Sequence, residues 1–169
     1  MITDIFNQLI DDLSLVPGIA QVIPVPRRLD TVTLPAIFLD IGEMTYGNSP
    51  GTEQVPLVIH WEARIVMQDD VEDITLWSLV ANVMLQLFTT RWPNRDIGKV
   101  KLKQATPDDF TPDLAGFRVW LIEWVQTIHL GDNIWDGDGI VPTEVVIRYQ
   151  GSDEETTYTL PPRNQSASV

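Results

Sequence analysis

The residues best suited to chemistry lie in one acidic, glycine-rich stretch, Asp132-Asn-Ile-Trp-Asp136-Gly137-Asp138-Gly139. Such spacing suggests a calcium loop, which needs oxygen ligands at alternate positions and a closing carboxylate at position twelve. Counted from Asp132, position three is Ile134 and position twelve is Thr143, so two ligands are missing. The stretch reads as an acidic turn after a strand, with a weak calcium site shared with another subunit as the alternative. His60 and His129 are the two histidines, each on an expected strand and without a second histidine at metal-ligand spacing. Both are expected to be structural or surface residues. The pairs Asp69/Asp70 and Asp108/Asp109 could supply a general acid and base, yet adjacent acids in loops are more often solvated helix starts or turns. Gly47-Asn-Ser-Pro-Gly51 lacks the lysine and following helix of a phosphate-binding loop. No catalytic, cofactor-binding or metal-ligating residue is expected.

The remaining candidates are contacts. Lys99, Lys101 and Lys103 alternate with Val100 and Leu102. The row suits an edge strand guarded against strand addition, or a surface that meets an acidic patch on a neighbour. Trp61, Trp77, Trp120 and Trp124 fall on apolar faces and are expected in the core. Trp135 stands in the acidic turn, where it serves either as an interface anchor or as a lid on the core. The loops 46–54 and 106–115 add Tyr46 and Phe110 as candidate contacts.

Composition limits the partners. The chain has 169 residues, 24 acidic and 11 basic, for a formal net charge of −13, and no cysteine. Disulfides and thiolate chemistry are excluded. An acidic surface repels nucleic acid, whose binding depends on Lys and Arg displacing counterions from phosphates, so DNA could slide past without sticking. The opening residues lack the basic and apolar regions of a signal peptide, and no apolar run approaches the ~18 residues of a membrane span. A single α+β domain over 1–162 with a disordered tail at 163–169 is the expected organisation.

These residues must be positioned by a mixed set of elements. Ile2, Ile5, Phe6, Leu9, Ile10 and Leu13 share one helical face, and Pro17-Gly18 ends the helix. Val22, Ile23 and Val25, broken by Pro24 and Pro26, suit an irregular or edge strand, and 34–45 a second one. Residues 55–68 alternate strictly and predict a long strand. A helix follows over 72–90, so apolar that burial on more than one side is expected. Further strands are expected at 99–103 and 117–130, with 106–115 as a loop between them, and a hairpin at 144–149 and 156–160. The fold class is α+β: a mostly antiparallel sheet, two helices packed on one face, and a C-terminal β-hairpin.

Four segments carry a resemblance: the helix Thr3 to Leu13, the strand Leu34-Pro-Ala-Ile-Phe-Leu-Asp-Ile41, the strand Ile59-His-Trp-Glu-Ala-Arg-Ile-Val66 with its apolar helix, and Phe117-Arg-Val-Trp-Leu-Ile-Glu-Trp124. In order and texture they resemble the tail-terminator (tail-completion) proteins of long-tailed bacteriophages. The resemblance covers roughly the first 130 residues; the hairpin from Glu144 to Leu160 departs from it and suits a neck or connector variant. It implies a virion ring subunit, assembled in the host cytoplasm as a homo-oligomer, a hexamer in that family. Its implied partners are the tail tube protein and the head-completion or neck proteins, with DNA passing through unbound and no membrane or cofactor involved. The alternatives are another neck, connector or baseplate part and, in a different class, a small metal-assisted hydrolase built on Asp132, Asp136 and Asp138.

Overall fold

A computed structural model describes residues 2–26, 32–92, 96–108, 114, 116–136, 144–148 and 155–159. The chain forms two compact units, Met1–Asp132 and Asn133–Val169. Each is described by itself.

The first unit opens with α1, Ile2–Ser14, whose Ile5, Leu9 and Leu13 are buried. Pro17 and Gly18, the latter at φ +92°, stop the helix. Five strands follow: β1 (Gln21–Pro24), β2 (Ala36–Tyr46), β3 (Val55–Gln68), β4 (Lys101–Pro107) and β5 (Phe117–Leu130), with α2, Asp73–Thr89, between β3 and β4. Their order across the sheet is β1-β2-β3-β5-β4. All pairs are antiparallel except β1 with β2, which is parallel. β1 is an edge, as the prolines demand, since its outer side has no ladder to complete.

β3 and β5 pair along their full length, Val55 opposite Leu130 through Gln68 opposite Phe117. Alternation therefore aligns on both strands. Ile59, Trp61, Ala63 and Ile65 join Ile122, Trp124 and Ile128 in one apolar layer, and α1 and α2 cover it. Trp61 and Trp124 lie opposite each other with ring centroids 6.1 Å apart and planes 12° from parallel. Phe6 of α1 closes on Trp61 at 6.0 Å. The expected two helices on one face of a mostly antiparallel sheet are present.

The opposite face carries a compact apolar cluster at one end. Ala36, Phe38, Val66, Leu114 and Val119 form a second, smaller cluster there. With both faces covered, β2 starts with four consecutive buried residues, Ala36–Leu39, a pattern that masks its alternation.

Three expectations need correction. Trp77 is half-exposed and Trp120 only partly buried; neither belongs to the fully buried core. The strand expected at 99–103 begins at Lys101 and runs to Pro107, because Gln104, Ala105 and Thr106 find partners in Glu123, Ile122 and Leu121. Pro107 closes the strand at an edge, where its missing N–H costs no ladder bond. Lys99 precedes the strand. There Gly98 donates its N–H to the Thr127 carbonyl at 2.7 Å, so close that a Cβ on it would sit 2.8 Å from that oxygen.

Among the described residues several buried side-chain polar atoms lack a hydrogen-bond partner, and one of them belongs to a carboxylate. Asp12 of α1 has its Oδ2 buried without a hydrogen-bond partner. Burial raises its pKa above the ordinary value of 3.8; the Thr90 hydroxyl works against the rise and Asp11 adds to it. A raised carboxylate pKa costs stability only where the group is charged in the unfolded chain, so the penalty grows as pH climbs through 3.8 and is complete above the folded value. Asp12→Asn is expected to raise Tm by roughly 1–3 °C at pH 7, an advantage that fades as the pH falls toward 4; calorimetry across that range checks it.

In the second unit, β6 (Glu144–Arg148) and β7 (Glu155–Thr159) form an antiparallel hairpin, Glu144 opposite Thr159 and Arg148 opposite Glu155. The hairpin lies where the turn-bounded segments predict it. The expected tail, 163–169, lies outside the described residues.

Candidate functional site

The acidic turn begins on an exposed Asp132. Asn133 Oδ1 accepts a hydrogen bond from the Trp135 N–H at 2.9 Å, which bends the chain into a single 3-10 turn over Ile134–Asp136. Trp135 is 74% exposed. Asp138 and Phe110 lie outside the described residues. Tyr46, at the end of β2, is 72% exposed.

His60 and His129 sit on the sheet face turned away from the helices, His60 opposite Val125 and His129 opposite Pro56. Four residues of β5 separate them, about 13 Å of strand. Among the described residues, no group of three or more His, Asp or Glu could hold a metal ion. Among the same residues, no helix is long and apolar enough to cross a membrane.

Asp108 departs from the solvated-turn expectation. Arg64 of β3 reaches it at 2.9 Å and Glu62 at 2.7 Å, and the Asp108 side chain is only 9% exposed. Burial works against the charge on Arg64, but bonds from both carboxylates outweigh it and hold its pKa above the ordinary value. Beside this triad, Gln104 of β4 donates to Glu123 of β5. The polar centre of this face is thus internally matched. Asp69 and Asp70 are exposed in the turn before α2, while Arg118 binds Asp73 and the Val71 carbonyl and so ties the start of α2 to β5.

Lys99, Lys101 and Lys103 are all exposed. β4 is the edge opposite β1, and its register slips between Leu102 and Gln104, where Lys103 is the extra residue. Lysines, a bulge and a terminal proline are three standard means of blunting an edge. Replacing Lys101 and Lys103 together by valine is expected to leave the fold intact but to cause concentration-dependent aggregation, read as rising light scattering and thioflavin binding.

The expected burial of α2 on more than one side is not met within the chain, because the sheet and α1 cover only one of its apolar stripes. Leu76, Leu79, Val80, Val83 and Leu87 face the core, whereas Ile74, Trp77, Leu85 and Phe88 are 62%, 50%, 61% and 67% exposed. Shallow grooves flank this ridge, one lined by Pro17, Ile74, Ser78 and Asn82, the other by Trp77, Phe117 and Trp120. The signal was visible as apolar residues spread over more than one stripe of the helix, which calls for a second covering surface.

The site features therefore define an α+β unit with blunted sheet edges and, on its surface, a helix whose exposed stripe is apolar and uncharged from Ile74 onward. No family model matches the chain, and no curated protein matches it. Among solved structures, it is similar to a chain of the "Virion of native gene transfer agent (GTA) particle", at 10% identity and a TM-score of 0.46, over 72% of this chain and 84% of that one. At that level the likeness assigns no role to this chain.

Proposed function

We propose that this chain is a structural subunit of a long-tailed phage virion, forming a ring that ends the tail tube and joins it to the head or neck. The observation that carries the reading is the exposed apolar surface of α2, with Trp77, Leu85 and Phe88 at half exposure or more. Large surface patches of this kind mark protein interfaces. Two further features support it. The sheet edges are blunted, so copies meet through side chains and not through strand addition. The net charge of −13 leaves DNA free to pass a channel built from such subunits. The tail-terminator resemblance of the first 130 residues supplies the place in the virion and the hexamer.

Immunogold labelling of virions carrying the chain tests this directly. Label confined to the head–tail junction, at about six copies per particle by quantitative mass spectrometry, is the expected result. Label at the baseplate or along the tail would move the chain to another virion part, and absence from purified virions would overturn the reading.

A further inference from the structure

The exposed stripe of α2 has an internal symmetry. Ile74, Trp77, Ala81, Leu85 and Phe88 occupy about 80° of helix circumference at 100° per residue, opposite the buried stripe. About Ala81 they are palindromic: Trp77 and Leu85 lie four residues to either side, Ile74 and Phe88 seven. The smallest side chain is central and larger ones flank it on both sides, an arrangement that lets two antiparallel helices approach closely at a crossing point. A two-fold axis through Ala81 would set Trp77 of each copy against Leu85 of the other, and Ile74 against Phe88.

Charge singles out the same surface. Between Ile74 and Thr89, α2 carries no ionisable side chain, and Asp73 is the one charge on the helix. In a chain of −13, most pairings of like surfaces bring acids together; this one does not. Area limits the contact to a weak one. At 50–67% exposure the four large side chains present roughly 100 Å² each, about 400 Å² together, half of the ~800 Å² per partner in a standard interface.

We propose that α2 pairs two copies of this chain in an antiparallel, two-fold contact crossing at Ala81. A cyclic ring joins unlike surfaces of neighbouring copies, so a two-fold contact here takes α2 out of the ring proposed above, which would then close through other surfaces; the cross-linking pattern reads the pairing and the virion labelling reads the ring. Its modest area places it among weak, transient contacts, so a dissociation constant on the order of 1–100 µM is the range to test.

The absence of cysteine makes the test clean. Single variants Ala81→Cys, Ile74→Cys and Phe88→Cys, all at exposed positions, are treated with a short bis-maleimide. Ala81→Cys is expected to cross-link to itself. Ile74→Cys alone is not, but mixed with Phe88→Cys it is expected to yield the cross-linked heterodimer. Adding Trp77→Glu is expected to abolish the Ala81→Cys product and to weaken association at least tenfold in sedimentation equilibrium, with unchanged circular dichroism. Three results would overturn the pairing: a monomer up to about 500 µM, self-cross-linking of Ile74→Cys as fast as that of Ala81→Cys, or association indifferent to Trp77→Glu.

Discussion

Trp124→Ala is expected to cost about 3–5 kcal/mol of stability, the range for truncating a buried Trp. Trp124 is 1% exposed and Trp61, stacked on it, is fully buried. The neighbours cannot close the gap. Trp61 is held by pairing on both sides of β3 and by Phe6 from α1, so the cavity stays open and its lining loses dispersion contacts. A domain of this size has about 5–15 kcal/mol in all, so the variant should lose 10 °C or more in Tm, or fail to accumulate as soluble protein. Trp124→Phe retains an aromatic face and should lose less than half as much. Denaturant melts of the two variants check the order. Equal losses would mean that refilling the site with a smaller ring recovers nothing, and would overturn the cavity account.

Arg64→Met is expected to cost about 1–3 kcal/mol, less than the loss of one partner from a fully buried pair because the group keeps some access to water. The side chains of Arg64, Glu62 and Asp108 are 19%, 23% and 9% exposed. Removing the guanidinium leaves two carboxylates facing each other with little solvent. Asp108→Asn in the Arg64→Met background should therefore recover part of the loss, a positive coupling that a double-mutant cycle reads directly. The deficit of Arg64→Met should also narrow as the pH falls below the carboxylate range, since the repulsion disappears with the charge. An additive cycle would show that Arg64 acts through its aliphatic stem alone.

Several elements were legible from residue order because their period matched a single covered face. α1 needs only its stripe at Ile5, Leu9 and Leu13. β3 needs only alternation, and the pairing with β5 keeps that alternation in phase for fourteen residues. β1 and the β6–β7 hairpin were readable from prolines and turn residues. Of the acidic stretch, the described part forms a 3-10 turn over Ile134–Asp136, while the exposure of Trp135 was left open by residue order.

Tertiary structure alone decided the rest. α2 carries two apolar stripes, and no periodicity chooses between them; the sheet and α1 took Leu76, Val80, Val83 and Leu87, which left Trp77 and Phe88 outside. Asp108 read as a solvated turn because its partner Arg64 lies 44 residues away, a distance no local pattern spans. Pro107 read as a loop because proline disfavours strands, a rule that relaxes at an edge, and only the strand order makes β4 an edge. Local spacing determines which faces are apolar. Which of those faces is buried, and which remains for a partner, is determined by what the rest of the chain brings against them.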